Sequence, residues 1–332
     1  HRRSLETLSH TGLSVAHLVR HRTDAAIVFN SANAPWMPVL RAARVPFATH
    51  VDGLEWQRAK WGGIGKRYYQ VSERLSVRWS DALIADAGGI ADYYRDRFDA
   101  DTELISYGAP ILQDPGTDRL ASVGVVPGEF HLVVARFEPE NHVLEIVEGY
   151  VASAATKPLV VVGSAPYADA YTDRIRSAAD GRVMLLGGVW DQTLLDQLYF
   201  NSYTYLHGHS VGGTNPSLLR AIGASAPTIA FDVVFNREVL GDAGRFFTGQ
   251  DQVGALIEQA ERDVDETARL GRASVERARS YDWDDVATDY EQMCARLVAG
   301  GARRPARRDV LAQRQVDDQG DSHAPKRRAA GS

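Results

Sequence analysis

Residues 202–231 constrain the fold more than any other stretch of the chain. The run Ser-Tyr-Thr-Tyr-Leu at 202–206 is short and rich in β-forming residues, which predicts a buried strand. A glycine loop follows, and Pro216 suits the first turn of a helix, where its missing N–H costs nothing. Thr-Ile-Ala-Phe at 228–231 predicts the next strand. A strand, a loop, a helix and a strand form one right-handed parallel crossover unit.

The loop of this unit predicts an anion site. Gly212 and Gly213 would leave backbone N–H groups accessible, and Thr214 or Asn215 can cap the helix that follows. Free N–H groups and the positive end of a helix dipole at one place favour a negatively charged ligand, usually a phosphate. Because two glycines also fit ordinary turn chemistry, the wider stretch is more informative than the glycines alone.

The same alternation of strands and helices runs through most of the chain, which predicts an α/β fold with doubly wound parallel sheets. An interruption rich in Pro and Gly at 107–116 indicates a boundary between a first domain at 1–118 and a second at 119–297. Strands are predicted at 25–30, 45–50, 82–85, 103–106, 131–135, 159–162, 183–185, 202–206 and 228–231, and helices at 5–20, 37–43, 65–79, 88–98 and 282–297.

Composition excludes several classes of protein. The 332 residues are 44% hydrophobic and 24% charged, as in an ordinary globular protein, and no run of about eighteen apolar residues predicts a membrane-spanning helix. Cys294 is the single cysteine, so no internal disulfide can form, which fits a reducing compartment. No Cys or His pair has metal-ligand spacing, and neither a metal nor another cofactor is expected.

Charge is distributed unevenly along the chain. The net charge is −6, but residues 300–332 hold eight Arg or Lys against four Asp or Glu, so that segment is +4 and the remainder is −10. A body this acidic is a poor partner for nucleic acid. Apolar periodicity stops at 298, which predicts a disordered tail at 298–332. Lys326-Arg327-Arg328 in this tail leaves contact with anionic lipid open.

Four segments resemble one known family. His-Gly-His-Ser-Val-Gly-Gly-Thr-Asn-Pro-Ser-Leu-Leu from His207 resembles the donor-site segment of glycosyltransferase family 4, in particular its bacterial rhamnosyltransferase-like branch. The others are His-Val-Asp-Gly-Leu-Glu-Trp from His50, Ala-Leu-Ile-Ala-Asp-Ala from Ala82, and Val-Ala-Arg-Phe-Glu-Pro-Glu-Asn from Val134. They occur in the order of the family, and the resemblance extends to about residue 297.

The resemblance implies the GT-B architecture, in which two Rossmann-like domains face a cleft. It also implies transfer of a hexose or deoxyhexose such as rhamnose from a dTDP- or UDP-sugar to a glycan or lipid-linked glycan, with retention of configuration and no required metal. A cytoplasmic location follows, with peripheral contact at the inner membrane face left open. Family members begin with a strand and a glycine-rich loop that are not seen here, so the first domain is expected to be incomplete and to expose an apolar sheet edge.

Two residues at predicted strand ends are candidates for catalysis. Arg136 can fork across diphosphate oxygens and offset charge in the transition state, which is the role that the resemblance implies. An interdomain ion pair, for example with Glu138, is the alternative. For His50 the resemblance implies contact with the donor sugar, whereas a histidine satisfied by the backbone is the alternative.

Other candidates surround these two. On the acceptor side, Asp52 and Glu55 could orient the acceptor or cap the following turn. The four aromatic residues after Leu54 could stack a sugar, but at this spacing they favour packing of a helix on its sheet. The donor-binding candidates are Gly212, Gly213, Thr214, Asn215, Glu138, Arg220 and Glu238, and the four aromatic residues are Trp56, Trp61, Tyr68 and Tyr69.

The chain departs from the family at two positions. Arg220 stands where the family has a glutamate that accepts both ribose hydroxyls, and a guanidinium can only donate. The ribose contact is then lost, reversed or supplied elsewhere, with Glu238 either as the substitute or as an ordinary acid at a helix start. Asn141 replaces a common lysine, which lowers the positive charge near the phosphates.

Two classes of function remain open. One is a glycosyltransferase. The other is a degenerate family member that binds ligand weakly or acts as a partner of other proteins, which Arg220 and the shortened first domain favour. A nucleotide-sugar epimerase shares the architecture but would need acid and base residues that the sequence does not offer.

Overall fold

Two parallel sheets organise the molecule, which a computed structural model describes at residues 3–51, 53–58, 61–164 and 169–301. Helices connect the strands of each sheet, as the α/β prediction requires. The strands are β1 (Ala26–Phe29), β2 (Phe47–His50), β3 (Ala82–Ala85), β4 (Glu103–Leu104), β5 (His131–Val134), β6 (Leu159–Val162), β7 (Val183–Gly187), β8 (Thr204–His207), β9 (Thr228–Phe231) and β10 (Gly244–Phe247). The α-helices are α1 (Arg3–His21), α2 (Met37–Ala42), α3 (Gly63–Trp79), α4 (Gly88–Phe98), α5 (Val143–Val151), α6 (Asp169–Ala178), α7 (Gln192–Phe200), α8 (Pro216–Gly223), α9 (Val234–Leu240), α10 (Gln250–Arg262), α11 (Val264–Ala278) and α12 (Trp283–Val298).

The first sheet has its four strands in the order of the chain, β1-β2-β3-β4, all parallel. Because parallel crossovers are right-handed, this order places α2, α3 and α4 on one face. The other face is covered by α12, whose Val286, Met293 and Leu297 pack against Ala48 and Ile84. A parallel sheet needs cover on both faces, and here the last described helix returns to the first sheet to supply it.

The second sheet has the order β10-β9-β8-β5-β6-β7 and is also entirely parallel. The chain leaves β5 in one direction to form β6 and β7, and then returns to place β8 on the other side of β5. Successive residues alternate between its two faces, so Leu132 and Tyr205 belong to one core cluster, and Val133 and Leu206 to the other. The reversal between β5 and β8 is a topological switch point, where ligands bind beyond the carboxyl ends of the strands.

The predicted strands all occur, and the structure adds β10, which the sequence reasoning missed. This strand, Gly244–Phe247, pairs with β9 at the sheet edge, and its Gly-Arg start hides the β pattern. The segment that connects the two sheets already packs in the core of the second sheet at Ala109, whose N–H donates to the carbonyl of Tyr281. The predicted tail from residue 302 lies outside the described residues. Across the described ranges, no helix is both long and apolar enough to cross a bilayer.

Candidate functional site

A cavity of about 60 Å³ opens at the switch point of the second sheet. The ends of β5 and β8, the segments that follow them and the start of α8 form its walls. Its position therefore follows from strand order, because only here do neighbouring loops diverge. The lining residues are Val134, Ala135, Arg136, Asn141, Leu206, His207, Gly208, His209, Asn215 and Ser217.

The start of α8 forms one wall of this cavity. Asn215 is the N-cap, and its side-chain oxygen accepts from the N–H of Ser217 at 2.9 Å. Pro216 takes the first position of the helix, as the sequence predicts. Between the two capping residues that the sequence allowed, Thr214 has another partner, since its hydroxyl donates to the carbonyl of Asp86 at 2.7 Å. The positive end of the α8 dipole thus borders the cavity.

Arg136 lies two residues beyond β5, with 59% of its side chain exposed. Its guanidinium is 3.5 Å from Glu138. An ion pair with Glu138 is therefore present, but it lies within one loop rather than between domains. Arg58 of the first sheet's loops approaches the same carboxylate at 3.8 Å and pairs with Glu55 at 2.6 Å. Since exposed ion pairs contribute little, Arg136 can exchange Glu138 for an anion in the cavity.

Asn141 links two walls of the cavity by hydrogen bonds. Its amide nitrogen donates to the carbonyl of Arg136 at 2.7 Å, and its amide oxygen lies 2.8 Å from Nδ1 of His209. Because the amide oxygen only accepts, Nδ1 of His209 carries the proton and Nε2 keeps a lone pair. Burial, followed by the charges of Arg58, Arg136 and His142, lowers the pKa of His209 to about 4. His209 is therefore a neutral hydrogen-bond acceptor at pH 7 rather than a cation.

His207 brings an unsatisfied buried atom to the same cavity. The residue is 4% exposed, and its Nδ1 lies 3.2 Å from the hydroxyl of Tyr205. Its Nε2 is buried and has no hydrogen-bond partner within the part of the chain that the structure describes. Burial, and then His209, hold the pKa of His207 well below its ordinary value. An unpaired buried polar atom costs about 1–3 kcal/mol, which a ligand that contacts it would remove.

Gly212 and Gly213 lie outside the cavity lining and instead contact the first sheet's loops. A Cβ on Gly53 would be 2.2 Å from the Cα of Gly212, and one on Gly213 would be 1.9 Å from a carboxylate oxygen of Asp86. Gly212 also has φ 137, which side chains disfavour. In this structure Gly53 lets its backbone approach that of Gly212, and Gly213 leaves room for the carboxylate of Asp86. The wall of the cavity after β8 is formed by Gly208 and His209.

Arg220 and Glu238, the acid offered as a substitute ribose contact, both have partners elsewhere in the structure. Arg220 donates to Asp196 of α7 at 2.7 Å and is not part of the lining. Glu238 accepts from the N–H groups of Gly88 and Gly89 at 3.0 and 2.7 Å, which caps α4 of the first sheet. Glu238 is thus a helix-capping acid, although for a helix of the other sheet, and both of its oxygens are engaged rather than open to a ribose.

The candidates from the first sheet do not join the cavity lining. His50 is 1% exposed and packs beside the rings of Phe29 and Tyr107, with centroids 5.3 and 6.0 Å away. It therefore shares no wall with Arg136. Glu55 is engaged by Arg58, and Asp52 lies outside the described residues. Among the described side chains, no group of three or more His, Cys, Asp or Glu is arranged to hold a metal ion.

The aromatic residues near α3 serve packing. The hydroxyl of Tyr68 donates to the carbonyl of Ala32 at 2.5 Å, which fixes α3 against the loop after β1. The rings of Trp61 and Tyr69 lie 5.0 Å apart, and a Cβ on Gly65 would contact Trp61 at 2.8 Å. These contacts favour the packing role that the sequence offered as the alternative to a sugar platform.

Sequence reasoning missed three site residues, His207, Gly208 and His209. A signal was present, because two histidines flank a glycine directly after the strand of the central unit. A Cβ on Gly208 would lie 2.1 Å from the carbonyl oxygen of Asn141, so the glycine lets β8 and the loop after β5 approach. This contact joins segments about 67 positions apart and cannot be predicted from local spacing.

Comparison with known proteins identifies the fold. Residues 44–110 match a domain family described as a domain of unknown function (DUF1972), and no curated protein matches by sequence. HepE of Anabaena in complex with UDP is similar at a TM-score of 0.72 and 15% identity, over 85% of this chain and 81% of HepE. An α,α-trehalose-phosphate synthase (UDP-forming) from Burkholderia vietnamiensis gives 0.66 and 11%, over 87% and 78%. The pneumococcal O-GlcNAc transferase GtfA in complex with UDP and GlcNAc gives 0.63 and 15%, over 82% and 57%.

These similarities, together with the two parallel sheets and the cavity at the switch point, define a GT-B fold. The predicted architecture is therefore confirmed, as two sheets with helices around each.

Proposed function

We propose that the protein is a glycosyltransferase that uses a nucleotide-diphosphate sugar. The observation that carries this proposal is the cavity at the switch point, where Arg136, the start of α8 and two neutral histidines meet. A guanidinium and the positive end of a helix dipole suit a diphosphate. Neutral imidazoles suit sugar hydroxyls, because each can accept a hydrogen bond. Similar proteins that bind UDP or are named as UDP-forming support a uridine donor.

The proposed reaction exchanges one bond at the anomeric carbon for another. The bond from that carbon to the diphosphate oxygen breaks, and the acceptor oxygen bonds to the same carbon on the same face, which retains configuration. The acceptor proton passes to an oxygen of the departing diphosphate. Arg136 and the positive end of the α8 dipole stabilise the negative charge that develops on the diphosphate. Nε2 of His209 accepts from a hydroxyl of the donor sugar and helps to position it.

The finer parts of the proposal follow from the four family-like segments. We propose a hexose or a rhamnose-like deoxyhexose as the transferred sugar, from UDP or dTDP, and a glycan or lipid-linked glycan of cell-surface polysaccharide as the acceptor. The first domain, 1–118, would hold the acceptor near Glu55, and the second, 119–297, would hold the donor. A cytoplasmic location is part of this proposal, since a single cysteine fits a reducing compartment.

A second candidate is a binding protein that does not turn the donor over. Arg220 favours it, because this guanidinium is held by Asp196 at 2.7 Å and offers no oxygen to ribose hydroxyls. Such a protein would keep the diphosphate contacts of Arg136 and α8 and lack catalysis.

Calorimetry with UDP-glucose and dTDP-rhamnose tests the proposal. We expect binding by the natural chain and a loss of about 30-fold in Arg136→Ala, because a charge-assisted contact to phosphate disappears. Arg176→Ala is the matched control, since this exposed arginine of α6 lies outside the cavity lining and pairs with Asp173 at 3.3 Å. Binding that is followed by release of nucleotide with a sugar acceptor supports the transferase, and binding without release supports the second candidate. No binding to either donor contradicts both.

A further inference from the structure

A second arginine approaches the candidate site from the segment after β2 of the first sheet. Arg58 has 14% of its side chain exposed, and its Nε lies 2.6 Å from a carboxylate oxygen of Glu55 in the same segment. Its Nη1 lies 3.8 Å from Glu138 and 4.0 Å from Glu140, both in the segment after β5 of the second sheet. Arg58 therefore spans the gap between the loops of the two sheets.

The guanidinium of Arg58 is held on one side and loosely placed on the other. The 2.6 Å contact with Glu55 fixes its Nε within its own segment. The two contacts of its Nη1 are longer than the roughly 2.8 Å of a charge-assisted hydrogen bond. Neither of these contacts satisfies Nη1 as a donor, so this nitrogen can still bond an anion on the side of the second sheet.

Glu138 lies between two guanidinium groups. Its Oε1 is 3.5 Å from Nη1 of Arg136, and its Oε2 is 3.8 Å from Nη1 of Arg58. The Oε2 atom is buried and accepts no hydrogen bond from the residues that the structure describes. Because a buried carboxylate oxygen without such a bond is unfavourable, another anion can replace it between the two arginines. Arginines that converge on one carboxylate can also hold a phosphate group.

The cavity itself supplies little positive charge. Among the described residues of its lining, Arg136 is the only cation, since burial keeps His207 and His209 neutral at pH 7. A nucleotide-diphosphate sugar has a negative charge on each phosphate, and this charge increases as the bond to the sugar breaks. One guanidinium therefore leaves part of the charge unbalanced.

Arg58 is close enough to act on this cavity. After burial, its charge is the largest cause of the lowered pKa of His209, ahead of the charge of Arg136. Because His209 lines the cavity, the field of Arg58 reaches the place where the donor would lie. An anion in the cavity is thus attracted by both guanidinium groups.

We propose that Arg58 is a second diphosphate-binding residue, and that Glu138 occupies the place of a phosphate between Arg58 and Arg136 until the donor binds. This inference rests on the proposed function, because it adds two roles to the same site. On binding, phosphate oxygens take over the contacts that Glu138 has with the two arginines, and no covalent bond changes. Since Arg58 belongs to the first sheet and Arg136 to the second, the diphosphate then joins the loops of both sheets. The competing interpretation is that Arg58 only links the sheets, with Glu138 as its permanent partner.

Calorimetric titration of the full chain with UDP and with dTDP provides the test. For whichever nucleotide the natural chain binds more tightly, Arg58→Gln should weaken binding about 20-fold. Arg58→Lys should weaken it about 5-fold, because lysine keeps the charge but not the planar fork. Glu138→Gln should tighten binding about 5-fold, since it removes the competing carboxylate. A purely structural link predicts that Glu138→Gln weakens binding or leaves it unchanged, and either result would overturn the proposal.

Two control variants remove equivalent charges elsewhere. Arg41→Gln is matched to Arg58→Gln, because Arg41 is also a partly buried arginine near the first sheet, pairs with Asp81 at 3.1 Å and lies outside the cavity lining. Glu129→Gln is matched to Glu138→Gln and removes an acid just before the amino end of β5. Both controls should leave nucleotide affinity unchanged. Urea unfolding checks that each variant is folded, and if Arg58→Gln is not, Arg58→Lys and Glu138→Gln still decide.

The failure of this inference can be distinguished from that of the proposed function. No binding of either nucleotide by the natural chain contradicts both. Binding that is lost in Arg136→Ala but unchanged in Arg58→Gln leaves the proposed function intact and overturns the role of Arg58. An equal loss of affinity in Arg41→Gln and Arg58→Gln would also overturn it, because the effect would then not depend on the position of the charge.

Discussion

The two sheets of this molecule are both parallel, but they differ in strand order, and the cavity described above opens at the second of them. In the first sheet the strand order follows the chain, so the connecting helices gather on one face and α12 must return to cover the other. In the second sheet the order reverses between β5 and β8, and the cavity opens at that reversal. The comparison teaches that strand order, rather than strand composition, places the site.

The amino and carboxyl ends of the strands in the second sheet extend this comparison. His131, at the start of β5, is buried with both ring nitrogens engaged, by Thr204 at 2.7 Å and by Glu261 at 3.1 Å. His207, at the end of β8, is equally buried but leaves Nε2 without a partner in the described residues. His131, at the amino ends of the strands, is therefore structural. His207, at their carboxyl ends, keeps a nitrogen that can hydrogen-bond a ligand.

The largest effect is expected at the cavity itself. A Cβ on Gly208 would lie 2.1 Å from the carbonyl oxygen of Asn141, so Gly208→Ala must separate β8 from the loop after β5. We expect the free energy of unfolding in urea to fall by about 4 kcal/mol, and donor binding to be lost. Gly62→Ala is the control, since that Cβ has nothing within 4 Å, and should change stability by less than about 0.5 kcal/mol. Equal stability of the two variants would show that this close approach does not shape the cavity.

The next largest effect on stability is expected where α12 covers the first sheet. Met293 of α12 is fully buried in the cluster that contains Ala48 and Ile84. Met293→Ala should lower the free energy of unfolding by about 3 kcal/mol, through lost burial and a residual cavity. Amide exchange should accelerate first in β2 and β3. Gln292→Ala, an exposed neighbour on the same helix, should have little effect. Faster exchange in β6 instead would mean that α12 does not stabilise the first sheet.

The smallest effect on stability is expected at the amino ends of the strands of the second sheet, where Glu261 lies, and it depends on pH. Burial raises the pKa of Glu261, but hydrogen bonds from His131, Lys157 and Thr156 outweigh it and lower the pKa to about 2, from an ordinary 4.5. The stabilisation is therefore present above pH 4.5 and is lost as the pH falls toward 2. Glu261→Gln should lower the free energy of unfolding by about 2 kcal/mol at pH 7 and by much less near pH 2.

Chemical denaturation across this pH range measures the difference between Glu261→Gln and the natural chain. Glu276→Gln is the matched control, because this exposed acid forms a surface pair with Arg279 at 3.6 Å, and its loss should change the free energy of unfolding little at any pH. A cost of Glu261→Gln that does not change with pH would mean that the carboxylate charge is not what stabilises this edge.

The site shows where sequence reasoning succeeds and where it stops. The spacing around Pro216 predicted the start of α8, and the end of a strand predicted the place of Arg136, because both depend on neighbours in the chain. The same reasoning offered Glu238 as a ribose contact, and it instead caps α4, 150 positions away. It assigned the anion-binding wall to Gly212 and Gly213, which here contact the loops of the first sheet.

The sequence by itself determined the α/β class and the positions of nearly all strands, because apolar runs, turn residues and caps act over a few residues. It also determined that residues 202–231 form a crossover unit of β8, α8 and β9. Only the tertiary structure decided that α12 covers the first sheet, that His209 is neutral and held by Asn141, and that Nε2 of His207 has no hydrogen-bond partner among the described residues. These features depend on contacts between distant segments, which strand order and close packing create and local sequence does not encode.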